Sequence, residues 1–232
     1  MNLDDLNHIF DRAMDKIEGF PDIDYRLTTM NDYINEIAEF LEFTYAQKTQ
    51  RLKAKIPTIA DPVKQGELVG ELSQLEENGL EYLSHTIWGG VLVSIFGTYE
   101  SSIQELLTFF EETQGKPKFK KETRKSFIEC ADLYSREYLK TRLYRDLADK
   151  LLLDDLSKLR NSYVHNGCSI NLLPTRLREA IIGKKYNDYS LGVKDGKWLA
   201  NSKSSKLYFK YVHDSLLSYR GRLADLLFID DA

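Results

Sequence analysis

An arginine, an asparagine and a histidine stand close together in one string, Arg160-Asn161-Ser162-Tyr163-Val164-His165. These residue types suit work on charged oxygen. A guanidinium offers an anion a fixed fork of donors, and an imidazole exchanges protons near neutral pH. On an α-helix, five residues of separation set Arg160 and His165 about 140° apart around the axis. They flank a groove rather than touch, so a site built from them needs a second element opposite. His165 falls in the last turn of the helix predicted below, where the macrodipole favours a protonated ring.

That helix is read from residues 146–167, DLADKLLLDDLSKLRNSYVHNG, which open with strong helix formers and hold no Gly or Pro before Gly167. Ala148, Leu152, Leu156, Leu159 and Tyr163 recur at threes and fours and fall within about 80° of arc, a narrow core-facing stripe. Arg160, Asn161, Val164 and His165 occupy the arc turned away from it. Asn166-Gly167 supplies the stop, because glycine readily takes the left-handed conformation that closes a helix.

The string Leu159-Arg160-Asn161-Ser162-Tyr163-Val164-His165-Asn166-Gly167 resembles the signature of HEPN-domain ribonucleases, an arginine and a polar residue, three more positions, a histidine and often Asn-Gly near the end of a late helix. Upstream, Val93-Ser94-Ile95-Phe96-Gly97-Thr98-Tyr99-Glu100 resembles the aromatic-x-x-aromatic-Glu stretch on the central helix of many such proteins. The resemblance covers residues 80–170. It implies an endoribonuclease that needs no metal or cofactor and cleaves RNA by attack of the ribose 2′-hydroxyl on its own phosphate. His165 would move the protons, Arg160 would stabilise charge on the phosphorane, Asn161 would orient the phosphate or the histidine, and Glu100 would fix Arg160 or His165. Family members pair two such helices across a dimer, so a homodimer is expected. A toxin or antiphage-defence effector with an antitoxin or defence-system partner follows from the same resemblance. Some members carry a tyrosine two residues past the histidine that a partner nucleotidyltransferase modifies; Gly167 stands there in this chain, so that regulation is not expected. The competing expectation is a catalytically silent HEPN-like binding or dimerisation module whose exposed arc merely bears an arginine and a histidine.

Composition narrows the other classes. A chain of 232 residues can bury one sizeable core or two small ones. With 42% hydrophobic and 29% charged residues it reads as an ordinary folded protein rather than a disordered one. A net charge of −4 argues against a surface coated for non-specific nucleic-acid binding, but it leaves room for a local basic patch. Cys130 and Cys168 lack metal-ligand spacing and are read as reduced thiols. The four histidines, His8, His85, His165 and His213, are scattered, without carboxylates at ligand spacing. The acidic start, MNLDDLNHIFDR, has no apolar stretch and is not read as a signal peptide. Residues 82–99 carry no formal charge, but Gly, Ser, Thr and His interrupt them, which fits a buried helix better than a membrane span. A cytoplasmic location is expected.

Around the signature the pattern is helical: 3–18, 24–55, 67–113 (broken near Gly79 or bent at Gly89-Gly90), 122–138 and 205–228. The Pro-bearing stretch 56–62 is the best boundary, separating an N-terminal helical segment, 1–56, packed on the core, from a HEPN-like domain, 67–232. Trp88, Leu92, Ile95, Tyr99, Ile103, Leu106 and Phe110 form the apolar stripe of the central helix. Beside it Gly90, Ser94, Gly97 and Ser101 form a stripe of small residues, which plain core packing, close approach inside the chain or a dimer could each explain. The basic cluster 116–125 is either a solvated loop or a phosphate-holding surface, with Lys118, Lys120, Lys121 and Arg124 as RNA contacts and Phe119 to stack on a base. Residues 189–199, turning at Asp195-Gly196, read as a β-hairpin. The expected fold class is all-α, an up-and-down helical bundle with one small appended hairpin.

Overall fold

The computed structural model describes residues 19–183 and 191–229, with residues 77–84 and 228–229 described by their backbone alone. The expected first helix, 3–18, and the first hairpin residues, Tyr189 and Ser190, lie outside the described residues. Within them the chain is all-α with a single small hairpin. Helices α1 Asp24–Lys55, α2 Pro62–Gln114, α3 Phe127–Tyr138, α4 Leu147–Asn166 and α5 Thr175–Ile182 precede strands β1 Gly192–Lys194 and β2 Lys197–Leu199, and α6 Ser202–Ile229 follows. No described helix is long and apolar enough to cross a membrane.

Local chemistry sets where these helices begin. Helix α2 starts five residues before the expected Glu67, because Asp61 accepts from the Val63 N–H at 3.0 Å and Pro62 suits the first helical position. It then runs through Gly79, Gly89 and Gly90 without a break. Each glycine costs about 1 kcal/mol relative to alanine, and the burial of Trp88, Leu92, Ile95, Tyr99, Ile103, Leu106 and Phe110 outweighs that cost. Helix α3 starts at Phe127 rather than near Glu122. Ser126 and Glu129 close a reciprocal capping box there, so the chain before them is free to be a loop. Asn201 and Ser204 exchange hydrogen bonds of 2.9 Å in the same manner at the start of α6.

The chain forms two compact units, and four of its helices, α1, α2, α4 and α6, contribute residues to both. The first unit comprises Met1–Thr28, Ile95–Ser157 and Phe209–Ala232. Its interior holds Tyr99, Phe110, Ile128, Leu143, Leu153, Leu156, Leu216 and Leu223, and the Ser135 and Tyr219 hydroxyls share a buried hydrogen bond of 2.6 Å. The second unit comprises Thr29–Ser94 and Lys158–Tyr208. Ile34, Leu41, Leu52, Trp88, Leu159, Leu177 and Trp198 are buried in it.

In the second unit the hairpin pairs Gly192 with Leu199, Val193 with Trp198 and Lys194 with Lys197. Positive φ at both Asp195 (50°) and Gly196 (72°) marks the type I′ turn that the Asp-Gly pair predicts. The chain leaving α4 lies along β2. Ile170 N–H donates to Gly196 C=O at 3.0 Å and Trp198 N–H to Cys168 C=O at 3.1 Å. The hairpin thereby clasps the segment that follows the signature.

Candidate functional site

The signature helix α4 ends where the sequence predicts. Gly167 takes φ +55°, and Cys168 continues the left-handed path at φ +65° while its N–H reaches back to Ser162 C=O at 3.1 Å. Its buried face is rotated from the expected stripe. Leu156 and Leu159 are buried and Leu152 and Tyr163 half-buried, but Ala148 is exposed, and Asp149, Leu153 and Asp155 are buried instead. The cause at Asp149 is polar: its carboxylate accepts from Arg145 N–H and Nη2 and from Ser215 Oγ, all within the first unit. A paired carboxylate can take an inward position that an apolar pattern reserves for leucine or alanine.

Arg160, Asn161 and His165 share the second unit. Asn161, Val164 and His165 are exposed and Arg160 is half-buried. Arg160 Nη1 donates to Asn161 Oδ1 at 2.9 Å, so the neighbour orients the guanidinium as well as facing solvent itself. His165 stands in the last turn of α4 among the basic groups that suit a helix C-terminus. The arc opposite the core therefore bears a fork of donors, an amide and an imidazole, open to a ligand approaching from outside.

Three contacts that sequence reasoning did not anticipate hold this end of α4 in place. Tyr163 O–H donates to Thr86 C=O at 2.6 Å. The Tyr163 ring lies so close over Gly89 that a Cβ there would overlap it, which gives Gly89 a packing reason rather than a hinge role. Trp198, fully buried on β2, donates through Nε1 to Ser162 Oγ at 3.1 Å. Ser162, one residue past Asn161, is thus buried while its neighbour faces solvent. Fixed on two sides, the last turn presents Arg160 and His165 from a rigid support.

The remaining candidate site residues belong to the first unit. Glu100 belongs to the first unit, half-exposed on α2. Lys118, Lys120, Lys121 and Arg124 also belong to the first unit, all exposed on the loop before α3. Phe119 does not stack on an outside base: it is buried, with its ring edge-on to Phe127 at 5.6 Å and to Tyr134 at 5.7 Å. Its backbone N–H donates to Glu111, and Tyr134 O–H donates to Pro117 C=O at 2.6 Å. Phe119 anchors the loop from which the lysines project. The small-residue stripe of α2 lies on a solvent-facing arc, with Ser94, Gly97 and Ser101 exposed, so close packing inside the chain does not explain it.

Cys130 and Cys168 are free and buried, and burial pushes the Cys168 thiol up to about 11, which keeps it neutral. Among the described residues no three His, Cys, Asp or Glu side chains gather as a metal site would require. In comparisons with protein-family models, curated proteins and solved structures, nothing matches this chain.

Proposed function

We propose that the chain is an endoribonuclease of HEPN type, working without a metal as a homodimer on RNA, in the role of a toxin or antiphage-defence effector. The observation that carries the reading is the solvent-facing arc of α4. Arg160, Asn161 and His165, the residues of the resemblance, sit together at a helix end that is clamped from behind yet open in front.

The chemistry follows from those groups. Imidazole accepts the 2′-hydroxyl proton, and the 2′-oxygen attacks the adjacent phosphorus. The guanidinium meets the charge that builds on the non-bridging oxygens. A second imidazole, protonated, donates to the 5′-oxygen as the P–O bond breaks. The products are a 2′,3′-cyclic phosphate and a 5′-hydroxyl. One Arg160–His165 pair cannot supply acceptor and donor at once. A two-fold dimer that faces two α4 ends across a cleft provides both.

Purified full-length chain on mixed RNA in excess EDTA should release fragments with those two ends. Mixing wild type with excess His165→Ala under subunit exchange should suppress activity well beyond simple dilution. Products bearing 5′-phosphate, activity that merely tracks the amount of wild-type chain, or no cleavage at all would defeat the reading; the last would leave a binding module.

A further inference from the structure

The first unit carries a second concentration of cations, unrelated to the Arg160–His165 arc. Two neighbouring cavities, about 320 and 240 Å³, share Asp132, Arg136, Tyr144 and Lys150, and the larger adds Arg142 and Arg145. In a chain of net charge −4, four cations line the larger cavity against two carboxylates, Asp132 and Asp146.

They are not equivalent. Arg136 is held by Asp132 at 2.8 Å and Arg145 by the buried Asp149 at 3.0 Å. Arg142 and Lys150 form no salt bridge among the described residues; the Lys150 charge acts on Glu129, which lines the smaller cavity with it, and its ammonium stands over the Tyr144 ring, 5.6 Å from its centroid. Tyr144 is only 7% exposed, and its hydroxyl has no hydrogen-bond partner among the described residues.

The loop that carries Arg142 is fixed beforehand. Arg222 Nη2 donates to Arg142 C=O at 3.0 Å and to Leu143 C=O at 3.1 Å. Asp132 accepts from Leu143 N–H at 3.3 Å. Cations that form no salt bridge, on a pre-set wall beside an unsatisfied buried hydroxyl, can meet a multiply charged oxyanion.

We propose that this cleft binds a small organic phosphate, of mononucleotide size, with Arg142 and Lys150 as its principal anchors. The concave, two-lobed space suits a compact ligand better than a polymer, whose backbone would call for an open track. Arg136 and Arg145, each already paired, shape the field around the phosphate. The site belongs to the first unit and the proposed ribonuclease arc to the second, and the inference does not depend on that reading.

Calorimetric titration of the full chain with inorganic phosphate, pyrophosphate, AMP and adenosine tests it. The three phosphates should bind and adenosine should not. Arg142→Gln with Lys150→Gln should weaken AMP binding by about tenfold or more, with melting lowered only slightly by the loss of the Lys150–Tyr144 contact; should the pair fail to fold, each single variant should still weaken it. Arg160→Ala should bind AMP as wild type does. The proposal is overturned if no phosphate binds at millimolar concentration, if adenosine binds as well as AMP, if the glutamine variants bind normally, or if binding depends on Arg160. Tighter binding of a 5′-hydroxyl RNA oligomer than of AMP through Arg142 and Lys150 would overturn it in favour of a polymer site.

Discussion

The two ends of α4 carry similar polar residues and use them in opposite ways. In the first turn, Asp149 is buried and its carboxylate is met by Arg145 and Ser215. In the last two turns, Asn161 and His165 face solvent, and Arg160 is oriented by its own neighbour. A buried carboxylate with its oxygens matched belongs to the architecture, because losing it strands the partners that fold around it. Polar groups left on an exposed arc, above a backbone clamped by Tyr163 and Trp198, contribute little to the fold and remain available to a substrate. One helix thus separates a buried support from an exposed polar arc along its length, and the proposed chemistry would use only the second.

The contrast is broken most directly by exchanging the deletions. His165→Ala and Arg160→Ala should each lower RNA cleavage by about 10²–10⁴-fold while the melting transition stays where it was. Asp149→Ala should do the reverse, costing about 2–4 kcal/mol of stability with near-normal activity per folded molecule. Cleavage rates paired with thermal melts on the same preparations decide it. If His165→Ala destabilises as much as Asp149→Ala, the last turn of α4 is architecture too.

A smaller effect sharpens the support side. Gly89→Ala should cost about 1–3 kcal/mol, since a methyl group must displace the Tyr163 ring that donates to Thr86. Tyr163→Ala removes the obstacle, so the double variant should cost less than the sum of the two single changes. Strict additivity in urea melts would mean that the ring does not seat against Gly89.

The same contrast explains what could be read from the sequence and what could not. The apolar stripe of α2, the Gly167 stop and the Asp195-Gly196 turn were legible because each depends on neighbours in sequence. Asn161 and His165 were placed on an exposed arc for the same reason. The burial of Asp149 is not legible in the sequence, because its inward position depends on Ser215, 66 residues away, as well as on Arg145. Ala148 was placed inside by the same apolar logic. Helix α5, eight residues long, was missed because two turns give too little periodicity to register. The start of α3 was a different failure: Ser126 and Glu129 stand at capping-box spacing in the sequence, and the signal was present but unread. The phosphate-sized cleft was beyond reach, since Arg142 and Lys150 become distinctive only once Asp132 and Asp149 are seen to occupy their neighbours.

The smallest expected effect concerns His85, which tests the clasp behind the signature turn through pH. Its Nδ1 accepts from Ala200 N–H at 3.3 Å, and its ring stands edge-on to Tyr163 at 6.3 Å and to Trp198 at 5.9 Å. Burial, helped by the nearby Lys197 charge, lowers its pKa below the ordinary 6.5. A protonated Nδ1 could no longer accept from Ala200. Above pH 6.5 folded and unfolded rings are both neutral, and the contribution to stability is whole. As pH falls below 6.5 the unfolded ring takes up its proton first, so stability declines until the folded ring titrates as well. The slope cannot exceed about 1.4 kcal/mol per pH unit for one group. Wild type should therefore lose melting temperature between pH 7 and 5.5 faster than His85→Gln, whose amide oxygen can accept from Ala200 at any pH. Groups common to both proteins cancel from the difference. Parallel curves would show that the clasp does not depend on a neutral His85, and a wild type that gains stability on acidification would reverse the assignment of Nδ1 as an acceptor.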